Sequence, residues 1–230
     1  MLVRADGLCV IYTDGTVDPG YKIDPRRRSI STPRLRISQK EPELLQKVLD
    51  LMDCNAKLMY RKERRYSSTV AGALYSFQIS SEKIYHDLLT AGVTPNKSLT
   101  LSFPEMPGTE LIRHFIRGCW DGDGTVFVLR DKIRTHAGAG IVSGSLKFIT
   151  GLRDHFYRVG IKRRSGQTDE PLPILRDRNS HHIRIGGRDK FTLLFPYLYD
   201  GVDSSMRLER KYLKFLEIMR LYDAVLSLEP

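Results

Sequence analysis

The 230-residue chain is 41% hydrophobic and 28% charged, enough for one large domain or two small ones with their own cores. Its 37 Lys+Arg against 27 Asp+Glu give a formal charge of +10, an excess that points to a polyanionic partner. No window approaches 18 apolar residues, and Cys9, Cys54 and Cys119 are too scattered for a disulfide framework or a zinc site, so spanning and disulfide-scaffold classes are set aside.

In chain order, the first element is GLCVIYTDGTV, an apolar run through Leu8–Tyr12 that meets Asp14-Gly15 and then a short strand. A basic stretch, RRRSISTPRLR over 26–36, carries five arginines and no acid, and PRLRIS alternates as a strand does. EPELLQKVLDLM follows with Leu44, Leu45, Val48, Leu49 and Met52 at helical spacing. Two more strands, AKLMYRKERR and LYSFQIS, precede the helix SEKIYHDLLTAGV. The Pro- and Gly-rich LSFPEMPGTE then marks a boundary near residue 104.

The second half repeats this order. TELIRHFIRGCWDGDG reads as a helix capped at Thr109, with Leu111, Ile112, Phe115, Ile116 and Cys119 apolar at helical intervals. Gly118 would let another helix pack closely, and Gly124 suits a turn needing positive φ. FVLRDKIR and AGIVSG read as strands, and SLKFITGLRDHFYRVG as a helix. IKRRSG and HHIRIGG are strands again, and RDKFTLLFPYLYDGV closes the set. DGTV occurs at Asp14–Val17 and at Asp123–Val126, 109 residues apart, and so do Gly92-Val93 and Gly201-Val202. The expected fold is therefore α+β, two pseudo-symmetric α-β-β-α-β-β-α repeats over 1–104 and 105–230. Each repeat carries a net +5, so each could present its own basic antiparallel sheet, together a DNA-binding saddle.

The acids break a local rule, because a carboxylate at a helix C-terminus meets the negative end of the dipole. If the two motif helices pack side by side at the repeat interface, Asp14 and Asp123 arrive together, and two such carboxylates need a cation between them. Mg²⁺ suits one or two carboxylates completed by water and phosphate oxygen. On a basic, duplicated scaffold that chemistry points to a nuclease. An EF-hand loop is rejected, since Phe127, Val128 and Leu129 occupy positions that would need oxygen ligands.

FIRGCWDGDGTV resembles the LAGLIDADG motif of homing endonucleases in their two-repeat, single-chain form. GVTPNKSLTLSFP and LYDGV…LERKYLKF are similar to the segments that close each repeat in that family. Gly118, Asp121, Gly122, Asp123 and Gly124 match the motif; the first copy departs from it, with Tyr12 and Thr13 where the motif has an acid and a small residue. The resemblance implies that Asp14 and Asp123 hold two or three shared Mg²⁺ ions. It also implies that Lys97 and Lys211 lie near the scissile phosphates, polarising water or neutralising charge.

The basic strands would then contact phosphates and bases through Arg26, Arg28, Arg34, Arg36, Lys57, Arg61, Arg64, Arg65, Arg130, Arg134, Arg163, Arg164, Arg176, Arg178 and Arg184. His181 and His182, adjacent in a strand, face opposite ways and do not share an ion. The expectation is a monomeric, Mg²⁺-dependent, site-specific double-strand DNA endonuclease that cuts one phosphodiester in each strand. It needs no membrane and no obligate protein partner, and works in a cytoplasm, nucleoid or organelle matrix, its host an intron, an intein or a free-standing gene. The alternative is a non-cleaving DNA-binding regulator or an intron RNA maturase on the same scaffold.

Overall fold

The structure, a computed structural model, describes residues 5–20, 31–62, 73–130 and 135–226. The chain divides into two compact units, Met1–Lys97 and Ser98–Pro230.

The first unit runs α1 (Ala5–Asp14), β1 (Gly15–Asp18), β2 (Arg34–Gln39), α2 (Pro42–Leu51), β3 (Met59–Lys62), β4 (Ala73–Ser80) and α3 (Glu82–Thr90). Its four strands form an antiparallel sheet in the order β1-β2-β4-β3. Alternation sorts the sheet into two faces. Val17, Leu35, Ile37 and Phe77 are buried on one, whereas Thr16, Arg36 and Gln78 lie in register on the other. Helix α2 starts with Pro42 in its first turn and buries Leu44, Leu45, Val48 and Leu49, the i, i+1, i+4, i+5 stripe that its spacing foretold. Ser81 caps α3 by accepting from the Ile84 amide.

The second unit runs α4 (Thr109–Asp123), β5 (Thr125–Arg130), β6 (Thr135–Ser143), α5 (Leu146–Arg158), β7 (Arg163–Ser165), β8 (Thr168–Glu170), β9 (Ile174–Asp177), β10 (Ser180–Ile185), α6 (Arg188–Tyr199) and α7 (Glu209–Leu226). Its antiparallel sheet, β5-β6-β10-β9, has the same order as the first. Residues before α4 pack into this unit: the Ser145 hydroxyl donates to the Leu101 carbonyl, and Phe103 contacts the rings of Phe115 and Phe148.

Three expectations need correcting. IKRRSG does not enter the four-stranded sheet; it pairs with β8 as a separate hairpin around Gly166 (φ 62°), and β9 takes the sheet position. All three residues of β7 are exposed, so they offer no apolar face for a helix to cover. Helix α7 is an addition to the repeat plan. Thr109 is the first residue of α4 rather than its cap, which is Gly108 at φ 83°.

Candidate active site

Asp14 and Asp123 are the final residues of α1 and α4, and the next residue in each unit opens the junction to a strand. Gly124 has φ −68° and ψ 144°, so positive φ is not its purpose. A Cβ there would lie 2.4 Å from the Trp120 carbonyl oxygen, and one on Gly15 would lie 2.5 Å from that of Ile11. Each glycine lets the chain leave the helix directly as a strand, which fixes the direction of the acid before it. Gly118 is buried on α4.

The dipole conflict at these helix ends is met by buried cations. Lys211, 5% exposed, donates from Nζ to the carbonyls of Trp120, Asp121 and Gly122 at 2.7, 2.7 and 2.9 Å. Lys97, 6% exposed, donates to the Thr13 carbonyl at 3.3 Å. An ammonium against the last carbonyls of a helix offsets their negative potential. Both lysines therefore lie within one residue of a motif acid along the chain they bind, although neither is near it in sequence.

Asp14 is half-buried, and its Oδ2 accepts from Gln39 Nε2 at 2.6 Å and from Thr13 Oγ1 at 3.0 Å. Gln39, the last residue of β2, escaped sequence reasoning because a lone glutamine in a polar segment carries no signal. Asp123 is exposed.

The other motif acid is structural. Asp121 is buried, with Oδ1 accepting from the Tyr199 hydroxyl at 3.1 Å and Oδ2 from the Leu208 amide at 3.0 Å. Burial pushes its carboxyl up to about 6, against the opposing pull of the Leu208 amide, Lys211, Tyr199 and Arg117. Burial and the neighbouring Asp121 carboxylate hold the Tyr199 hydroxyl well above its usual range. Tyr12 stands in the first unit where Asp121 stands in the second. Its hydroxyl donates to the Ala91 carbonyl at the end of α3, and burial pushes it up to about 12. The tether from motif helix to third helix is thus kept with donor and acceptor exchanged. Arg117, also fully buried, donates from Nε to the Met206 carbonyl at 3.1 Å and bonds His114 through Nη1.

The candidate arginines divide by register. Arg34, Arg36 and Arg61 share the sheet face of the first unit that is turned away from its core; Arg34 is ion-paired to Asp18 at 3.2 Å, and Arg36 donates to Gln78 at 2.8 Å. Arg184 occupies the corresponding face of the second unit. Arg130 lies on the opposite face, where it pairs with Glu217 of α7 at 3.3 Å, and Arg176 shares that face at the edge of the sheet. Arg163 and Arg164 belong to the hairpin, facing Glu170 and Asp169, while Arg178 (φ 48°) is in the β9–β10 turn. Lys57 is exposed ahead of β3. Arg26, Arg28, Arg64, Arg65 and Arg134 lie outside the described residues. His181 and His182 occupy opposite faces of β10. Among the described residues no three His, Cys, Asp or Glu side chains converge as a metal cage, and no helix is long and apolar enough to cross a membrane.

Residues 110–195 match the LAGLIDADG-like domain. Solved structures extend the likeness across the chain. The meganuclease I-SmaMI bound to uncleaveable DNA is 10% identical, with a TM-score of 0.60 over 100% of this chain and 92% of that one. I-DmoI in complex with DNA and Mn is 18% identical, with a TM-score of 0.54 over 87% and 98%. The LAGLIDADG meganuclease I-CpaMI bound to uncleaved DNA is 12% identical, with a TM-score of 0.54 over 97% and 93%. At such identities the likeness establishes the fold. No curated protein matches the chain by sequence.

Proposed function

We propose that this chain, a LAGLIDADG protein by its domain and its fold, is a site-specific double-strand DNA endonuclease that hydrolyses one phosphodiester in each strand. The observation that carries the reading is the repetition, in both units, of a helix-terminal aspartate above a buried lysine. An arrangement kept only for folding would not need an acid at the unfavourable end of either helix.

Asp14 and Asp123 are the residues that would hold Mg²⁺. Neither has two further carboxylate or imidazole neighbours among the described residues, which suits an ion completed by water and phosphate oxygens. When bound, such an ion activates water and stabilises the leaving oxygen. Gln39 and Thr13 hold the Asp14 carboxylate in one orientation, so no search through rotamers is needed when a ligand arrives. Lys97 and Lys211 keep the helix ends from repelling both the acids and an incoming phosphate. Arg34, Arg36, Arg61 and Arg184 would contact the duplex from the sheets.

The test is incubation with a randomised duplex library and Mg²⁺, followed by sequencing of cut ends, with Asp14→Asn and Asp123→Asn in parallel. Discrete ends of one sequence, lost in both variants, are the expected result. Bound duplex without cut ends would replace the nuclease by a DNA-binding regulator. Preferential binding of structured RNA would replace it by a maturase.

A further inference from the structure

The two sheets offer duplex DNA different chemistry. On the first, the face turned from the core carries Arg34, Arg36 and Arg61, and Thr16, Asp18, Arg34 and Arg36 line a hollow of about 260 Å³. Both Arg34 and Arg36 are held by a neighbour, Asp18 and Gln78, so their forks are oriented before any base arrives. On the second, register puts Phe127, Leu129, Val142 and Leu175 on one face with His182 and Arg184. Leu129, Val142 and Leu175 are 60%, 41% and 37% exposed, and much of this face forms an open trough of about 490 Å³. Phe127 lies against Gly138, where a Cβ would approach its Cζ to 2.6 Å, so the glycine leaves the room the ring occupies.

Exposed aliphatic groups gain nothing from phosphate. In the major groove the apolar partner is the C5-methyl of thymine, whereas an oriented arginine fork matches guanine O6 and N7. We propose that the half-site on the second sheet is read through thymine methyls by Leu129, Val142 and Leu175, and the half-site on the first sheet through guanine by Arg34 and Arg36. Arg184 and Asp177 share this face with the leucines, so the trough carries polar atoms of both signs beside its apolar groups. This rests on the endonuclease reading above and adds the sequence class of the substrate.

The test uses the full chain with Ca²⁺ in place of Mg²⁺, so that selection from a randomised duplex library reports binding without cutting. The two halves are assigned with Arg36→Ala and with Leu129→Ala/Leu175→Ala, exposed positions whose replacement leaves the cores intact. The expected result is a site with guanine preferences in one half, weakened by Arg36→Ala, and thymine preferences in the other, weakened by the leucine pair. Replacing the selected thymines by deoxyuridine, which lacks the methyl, should weaken binding about fourfold per contacted base. A selected site whose second half shows no thymine excess, or loses nothing on deoxyuridine replacement, overturns the inference and leaves the endonuclease reading standing. Failure to select any sequence overturns both. A leucine-pair variant that leaves DNA preference unchanged but abolishes self-association or capture of a protein would reassign the trough to that partner.

Discussion

Replacing Lys211 by methionine keeps the length and apolar stem of the side chain and removes its ammonium. Three carbonyls, those of Trp120, Asp121 and Gly122, then lose a charged donor at 2.7–2.9 Å in a buried place. Bonds to charged groups contribute roughly 1.5–3 kcal/mol each, but the desolvation of the ammonium is recovered when it is deleted. The net loss should be about 3 kcal/mol, which for a unit of this size lowers Tm by about 10 °C. Scanning calorimetry of Lys211→Met beside Lys211→Arg checks this, with arginine keeping the charge but not the compact head that serves three carbonyls at once. A Lys211→Met protein that melts within a degree or so of the parent, yet loses the proposed cleavage, would refute the helix-end role. It would place the lysine's whole contribution at the phosphate.

Further outcomes follow from other contacts. Asp121 has a folded-state pKa of about 6, above its ordinary 3.8, so its contribution to stability is full below about pH 4 and is lost as pH rises through 6. Urea unfolding from pH 4 to 7 should therefore show the parent losing up to about 3 kcal/mol relative to Asp121→Asn; a pH-independent difference would contradict the shift. Gly124→Ala must force a Cβ to 2.4 Å from the Trp120 carbonyl, so loss of about 2–4 kcal/mol and misdirection of Asp123 are expected, read by denaturation and by cleavage. Tyr12→Phe should cost about 1 kcal/mol. Tyr12→Asp, which restores the motif letter, should be worse, because a buried carboxylate would face the Ala91 carbonyl. If chemical denaturation finds the aspartate variant more stable than the phenylalanine one, the exchanged tether is wrong.

Much of this architecture was legible because it rests on period. The recurrence of an apolar run followed by Asp-Gly-Thr-Val exposed the duplication, and the Leu44–Met52 spacing gave α2 without ambiguity. What stayed hidden was what depends on register or on distant contact. Alternation could not say which face of β5 carries Arg130, because the face is decided by α7 packing on that strand, and α7 was not foreseen as part of the plan. The β7–β8 hairpin looked like a sheet strand because a basic, alternating hexapeptide fits both; its lack of any residue to bury decided the matter. Gln39 and the three-carbonyl grip of Lys211 join residues 25 and about 90 apart, beyond any local pattern.

The exchange of Asp121 for Tyr12 bears on how such a chain drifts. A hydrogen bond between two elements constrains the pair and not the end from which the proton comes. In a chain with two such units, each can carry a different letter at that position as long as its own third helix supplies the complementary atom: a phenol on one side, a peptide carbonyl on the other. Divergence of this kind erases the motif from the sequence while the connection it made is kept. The domain match stops at residues 110–195, whereas the solved folds overlay up to the whole chain. One half of the likeness is written in letters and the other only in geometry.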